Sequence, residues 1–133
     1  MQEIFDFVKG KARYYFIATI DQENNRPRIR PFGSFSIFEG KLYFTTEKSK
    51  QVCSQILANP NVELCTMAEG EWIRIAAKAH QVEDPAVIEY MVESSPRFKA
   101  RFDEGEGIIF TLSGGIAQIY KGSTDLVSEI PIP

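Results

Sequence analysis

The segment Arg26–Phe38, RPRIRPFGSFSIF, constrains the fold more than any other part of the chain. Ile29, Phe35 and Ile37 share one parity in it, and Arg28, Arg30 and Phe32 share the other. That alternation predicts a long β-strand. Pro31 has no N–H to give to a neighbouring strand, so the strand is interrupted or lies at an edge there. Gly33 lets another backbone or a ligand come close. A strand that only completed a sheet would rarely be loaded with arginines and then broken.

The neighbouring segments read as strands and short turns. RYYFIATID (Arg13–Asp21) is β-branched and aromatic, and QENNR supplies turn chemistry before the arginine strand. EGK turns the chain into LYFTT (Leu42–Thr46), so the three segments read as an antiparallel meander. In EKSKQVCSQILANP the period changes: Val52, Ile56 and Leu57 form a helical stripe that Pro60 closes. NVELCTMAEG and EWIRIAAKAHQVE predict two more strands. DPAVIEYMVESS predicts a helix capped by Asp84 with Pro85 in its first turn. PRFKARF is a short helix or a loop, and GIIFTLSGGIAQIYKG a hairpin pivoting on Gly114–Gly115. The apolar residues of the tail STDLVSEIPIP are free to pack on a neighbour. A short helix over residues 2–9 opens the chain. About seven strands and three helices, mostly joined by hairpins, predict a mainly β architecture, an antiparallel barrel or sandwich with appended helices.

Composition narrows the function. The 133 residues make one domain, 1–133, large enough to bury a core. The net charge is −3, from 15 basic and 18 acidic residues, which argues against a nucleic-acid partner. No run approaches the roughly 20 apolar residues of a membrane span, and MQEIFDFVKGKARYY lacks a signal-peptide pattern. The expectation is a cytoplasmic protein with no membrane partner. Cys53 and Cys65 have no CxxC spacing and read as reduced thiols; His80 is the sole histidine. A histidine triad or a multi-histidine metal site is therefore not expected.

Three segments carry candidate chemistry. Arg28 and Arg30 lie on one strand face about 7 Å apart, suited to phosphate, carboxylate or a carbonyl-rich ring, or else guarding an edge strand in solvent. TTEKSK (Thr45–Lys50) joins a strand end to a helix start, where free N–H groups favour an anion. Thr45, Thr46 and Ser49 can donate hydrogen bonds there and Lys48 or Lys50 can supply charge; the plainer reading is that Thr46 or Ser49 caps the helix. In EWIRIAAKA, Trp72 and Arg74 share a strand face, able to stack on a planar heteroaromatic or to form a surface cation–π pair. Arg97, Lys99 and Arg101 in SPRFKARF read mainly as one side of an amphipathic helix. Walker and GxGxxG motifs are absent.

Taken in order, RPRIRPFG, LYFTTEKSK, ANPNVELC, EWIRIAAKA and IIFTLSGGIAQIY resemble the pyridoxamine 5′-phosphate oxidase-like family of FMN-binding split barrels. The resemblance runs from about Arg13 to Tyr120 and is nearest to the small bacterial branch related to nitroimidazole-resistance and general-stress proteins. It implies an antiparallel split β-barrel and a homodimer with FMN at its interface. By position, Arg30, Pro31, Phe32 and Gly33 match the strand along the isoalloxazine and ribityl chain, and Thr45 and Thr46 the end of the next strand. Ser49 and Lys50 match the phosphate turn, and Trp72 and Arg74 the strand reaching the flavin from the other subunit. Ala76 and Ala77 depart from the family's glycine, and Ser49 stands where a basic residue is common. The implied activity is hydride transfer between a nicotinamide donor, NAD(P)H, and a small molecule, with no side chain acting as nucleophile or base and no metal. A flavin carrier or sensor, or a barrel binding haem or a deazaflavin, is the alternative.

Overall fold

The computed structural model describes all 133 residues. The order is α1 (Gln2–Phe5), which widens into a π-helical stretch (Asp6–Ala12), β1 (Tyr15–Asp21), β2 (Arg26–Phe32), β3 (Ser36–Phe38), β4 (Lys41–Glu47), α2 (Gln51–Ala58), β5 (Asn61–Ala68), β6 (Glu71–Gln81), α3 (Pro85–Ser94), α4 (Pro96–Asp103), β7 (Gly107–Lys121) and β8 (Asp125–Ile132). The strands form one sheet in the order β2-β1-β5-β6-β7-β4-β3, with β8 also paired to β7. Every pairing is antiparallel.

The two ends of that order, β2 and β3, are consecutive in the chain. Only Gly33, Ser34 and Phe35 separate them, so the sheet curls until its ends nearly meet and no ladder closes the gap. This is the architecture of a split antiparallel barrel, as the family resemblance implies; the strand pattern alone left barrel and sandwich open. The long strand over 26–38 is corrected to two strands, because the break at Gly33–Phe35 hands the chain from β1 to β4. The simple meander is corrected as well: β2 pairs with β1 and β3 with β4, but β4 lies against β7.

Proline chemistry explains the open edge. Pro27 stands opposite Ile20, Ile29 opposite Ala18, and Pro31 opposite Phe16. Prolines cannot occupy hydrogen-bonded pairs, so the arginine parity makes the ladder to β1. The N–H positions of residues 27, 29 and 31 then face away from β1. Two of these three are proline, leaving little for a further strand to bind.

The arginine parity faces the same side as Tyr15, Ile17, Thr19 and Asp21, all buried. Inside the barrel, 23 buried residues form the main core, among them Ile17, Phe44, Leu64, Ile75 and Phe110. A second cluster of five, centred on Tyr43, Val87, Met91, Phe98 and Ile109, seats α3 and α4 on the outside of β4 and β7. The caps of these helices are local. Asp84 accepts from the Ala86 N–H at 2.9 Å, and Ser95 accepts from the Phe98 N–H at 3.1 Å. Pro96 forces Ser95 into an extended conformation, which ends α3 and starts α4.

The hairpin expected at Gly114–Gly115 is a continuous strand instead. Its two halves both pair with β6, whose eleven residues keep the chain in line. The glycines permit a bend. Gly114 has φ +59°, and a Cβ on Gly115 would stand 2.0 Å from the Ala76 carbonyl oxygen and 2.7 Å from Ala77 Cα. Ala76 and Ala77 thus come so close to β7 at residue 115 that only glycine fits there. The tail, left open by its sequence, adds β8 to the outer edge of β7 and buries Ile132. No helix is long and apolar enough to cross a membrane.

Two outcomes follow for stability. Gly115→Ala has nowhere to place its methyl and should destabilise the fold by about 3 kcal/mol or more, read as a lower urea midpoint. Asp21 accepts from the Asn24 side chain at 2.9 Å, from the Asn24 N–H at 3.2 Å and from Arg28 at 3.3 Å. These donors, the Asn24 amide foremost, hold its carboxyl below the usual range. A depressed carboxyl contributes stability above its unfolded value, near about 4, and loses it as pH falls through the folded value. The advantage of the unaltered protein over Asp21→Asn should therefore shrink when urea unfolding is repeated in acid; an equal difference at neutral and acid pH contradicts the assignment.

Candidate functional site

A cavity opens where the sheet fails to close. It is a cleft of about 570 Å³ between the β2–β3 link, the end of β4, the π-helical stretch and the α3–α4 hairpin. The link contributes Pro31, Phe32, Gly33, Ser34, Phe35 and Ser36; β4 and its turn contribute Thr45, Thr46, Glu47 and Lys50. Lys9 and Tyr14 enter from the N-terminal side, and Met91, Ser94, Ser95, Arg97, Phe98 and Arg101 from the helices.

Side chains tie the cleft walls across the split. Ser34 Oγ accepts the Thr45 N–H at 2.8 Å and shares a hydrogen bond with Thr45 Oγ1 at 2.9 Å. Tyr15 donates to the Ser34 carbonyl, and its burial pushes the phenol well above its ordinary range. The Lys9 ammonium donates to the Gly33 carbonyl at 2.8 Å. Thr46 differs from its neighbours: its Oγ1 is buried and has no hydrogen-bond partner. A buried hydroxyl left alone in a polar cleft is the kind of group a ligand satisfies.

The charge is one-sided. Four cations and one carboxylate line the cleft, in a chain whose net charge is −3. Glu47 is taken by Arg101 at 2.7 Å, and this partner raises the guanidinium's pKa. Lys9, Lys50 and Arg97 have no carboxylate within 4.0 Å. The cleft is therefore built for an anion with hydroxyl and carbonyl groups.

Six of the ten residues singled out in the sequence meet here: Pro31, Phe32, Gly33, Thr45, Thr46 and Lys50. Lys50 is also the first cap of α2, and neither Thr46 nor Ser49 caps that helix through its side chain. The plainer reading of TTEKSK is thus overturned. Ser49 lies on the turn, its N–H donating to a Glu106 carboxylate oxygen at 3.2 Å. Lys48 lines a separate cavity of about 270 Å³.

Arg30 lies outside the cleft lining. Its guanidinium donates to Thr19 Oγ1 and to Gln55 Oε1, each at 2.8 Å, and partial burial lowers its pKa. Trp72 and Arg74 stand on the sheet's outer face. Trp72 stacks on Tyr120 with centroids 4.5 Å apart and donates to the Gly122 carbonyl; Arg74 lies 5.0 Å from the Trp72 ring and pairs with Glu63 at 3.2 Å. That same face carries Phe16, Ile29 and Met67, exposed by 51, 68 and 76%. The registers place Pro31 opposite Phe16, Phe16 opposite Cys65, Cys65 opposite Arg74, and Met67 opposite Trp72. One solvent-facing surface, largely apolar and crossed by the Arg74–Glu63 pair, thus runs from β2 to β6 and meets the cleft at Pro31.

Sequence reasoning missed Lys9, Ser34, Ser94 and Ser95. Nothing in the helical spacing of residues 2–9 sets Lys9 apart, and the serines have no local signature. Arg97 was visible as a charge on a helix, without its place at the cleft.

A split barrel with a cation-rich cleft at its opening defines the class. The pyridoxamine 5′-phosphate oxidase family model matches residues 1–108, and the chain belongs to that family. A NimC/NimA family protein from Clostridium acetobutylicum superposes with a TM-score of 0.84 at 27% identity, over 98% of this chain and 91% of that one. A pyridoxamine 5′-phosphate oxidase-related, FMN-binding protein from Nostoc punctiforme gives 0.70 at 19% identity, over 90% and 83%. A haem-binding protein from Mycobacterium smegmatis gives 0.74 at 10% identity, over 93% of this chain and 55% of that one. No curated protein sequence matches.

The unpartnered hydroxyl makes a prediction without any ligand. Thr46→Val removes a buried orphan, so the ligand-free protein should unfold at an unchanged or higher urea concentration, by up to about 1 kcal/mol. A clear loss of stability shows that Thr46 Oγ1 has a partner in solution.

Proposed function

We propose that the protein is a cytoplasmic FMN-binding flavoprotein that works as a homodimer and transfers hydride between a nicotinamide donor and a small molecule. The observation that carries the flavin reading is the buried, unpartnered Thr46 hydroxyl in a cleft whose free cations include Lys50 and Arg97. These groups fit a terminal phosphate: one hydroxyl to donate and two cations to neutralise it. Lys50 at the uncapped start of α2 adds the helix's positive end. The hydroxyls of Ser34, Ser36 and Thr45 suit a polyol chain, and Phe32 and Tyr14 offer flat apolar walls. Bound FMN supplies the two-electron chemistry, and the protein supplies binding, orientation and charge.

Haem has less support. His80, the sole imidazole, is exposed on β6 and does not line the cleft. A carrier or sensor role uses the same site and differs only in turnover.

The homodimer reading rests on the exposed apolar surface from Ile29 to Trp72. Monomers seldom leave such a patch uncovered, and closed twofold pairs are the commonest way to cover one. On this reading Trp72 and Arg74 lie in the contact, beside the partner's cleft.

Absorbance of the purified protein, followed by FMN titration, tests the cofactor. Saturable binding is expected, weakened about tenfold or more by Lys50→Ala, by Arg97→Ala and by Thr46→Val. Absence of binding by the unaltered protein overturns the proposal. Sedimentation should show a dimer that Phe16→Glu together with Ile29→Asp splits; a monomeric unaltered protein sinks the interface reading. If FMN binds but no nicotinamide donor reduces it with any of a broad set of acceptors, the carrier reading replaces the enzyme.

A further inference from the structure

The cleft holds more positive charge than a phosphate needs. A phosphate monoester carries about −1.5 to −2 at neutral pH, which Lys50 and Arg97 together match. Lys9 is left over, and it stands at the other end of the cleft. From the Gly33 carbonyl, which Lys9 touches at 2.8 Å, the wall runs through Ser34 to Thr45 by their 2.8 and 2.9 Å hydrogen bonds. It continues through Thr46 and Glu47, about 7 Å further along β4, and turns to Lys50. A ligand with its phosphate at Lys50 and its body along these hydroxyls has its far end at Lys9.

The N-terminal segment is shaped to keep Lys9 there. It is wound as a wide π-helical stretch from Asp6 to Ala12, an arrangement often found at functional sites. It ends in Arg13 at φ +75°, a left-handed conformation that a non-glycine residue adopts under strain. Immediately afterwards Tyr14 lies against Gly33, where a Cβ would come within 3.3 Å of its ring. Lys11, two residues on from Lys9, pairs with Glu71 at 3.7 Å; Lys9 has only a neutral carbonyl. An ammonium has three donors, and one is used.

We propose that Lys9 is the cation that holds the negative charge of the reduced flavin, so that the site favours the reduced form. This rests on the FMN reading above. Bound FMN would take up a hydride from a nicotinamide donor, which would leave as the oxidised nicotinamide, and the reduced ring would then carry one negative charge. A fixed ammonium at the ring's end of the cleft stabilises that charge and does little for the neutral oxidised ring.

The test is a dye-equilibrated reductive titration of the FMN-loaded protein, comparing Lys9→Gln and Lys9→Arg with the unaltered chain. Glutamine keeps a donor for the Gly33 carbonyl and removes the charge; arginine keeps both. Lys9→Gln should bind oxidised FMN within a few-fold of the unaltered protein and reduced FMN about tenfold less well relative to oxidised. For a two-electron couple that is a midpoint potential lower by about 30 mV. Lys9→Arg should restore most of the difference. An unchanged potential in FMN-loaded Lys9→Gln overturns the role of Lys9 and leaves the flavin reading standing. A loss of melting temperature alone, without a change in potential, identifies Lys9 as an anchor for the N-terminal segment and overturns it too. Failure of the unaltered protein to bind FMN overturns both.

Discussion

The structure depends on a ladder that is not made. β2 and β3 follow one another in the chain and terminate the two ends of the sheet, yet three residues cross the gap instead of backbone hydrogen bonds. Two prolines on the outward parity of β2 remove the donors that closure would require. Everything that defines the cleft follows. The unpaired link turns its backbone and hydroxyls into the opening, Gly33 offers its carbonyl to Lys9, and Ser34 replaces the missing ladder with a side-chain bond to Thr45. A closed barrel of this size has an interior that its own side chains can fill, so here the opening rather than the interior offers the cleft.

Arg30 shows how a residue can serve such a site without lining it. Its guanidinium joins three elements: β2, on which it sits, β1 through Thr19, and α2 through Gln55. Thr19 also donates to Gln55 at 2.6 Å, so the three side chains form one small network. Lys50 immediately precedes α2, the helix that carries Gln55. Arg30 thereby fixes where that helix starts relative to the split strand. Hydrogen bonds to a guanidinium are stronger than neutral ones, and partial burial strengthens them further.

The sequence made the elements with strong local chemistry legible. Strand alternation in Asn61–Ala68, the Asp84–Pro85 helix start and the edge position that Pro31 imposes on β2 all act within a few residues. What stayed hidden was set by distant partners. The Gly114–Gly115 pair reads as a turn until β6 is seen to run past both halves of β7, and Gly115 is then demanded by Ala76 and Ala77, almost forty residues earlier. The TTEKSK segment was legible as a candidate because strand end, hydroxyls and lysines are contiguous, and its Thr45, Thr46, Glu47 and Lys50 do line the cleft. Lys9 and Arg97 were not, because their place at the cleft depends on a π-helical stretch and on the packing of α3–α4 against Tyr43 and Ile109.

The cleft and the outer apolar face are linked by position. Pro31 belongs to both, since it lines the cleft and stands opposite Phe16 on the exposed side of the sheet. Tyr14, two residues before Phe16, lines the cleft and is 69% exposed. A second copy covering Phe16, Ile29 and Met67 would therefore also wall the cleft near its Lys9 end. Water removed from that end strengthens any interaction between the ammonium and a charged ligand, because the local dielectric falls. Burial also has an opposing effect: a lone ammonium in a dry site is disfavoured unless a negative charge arrives with it. In such a pair, assembly and ligand charge would be thermodynamically coupled, and an anionic ligand at Lys9 would gain most with the outer face covered.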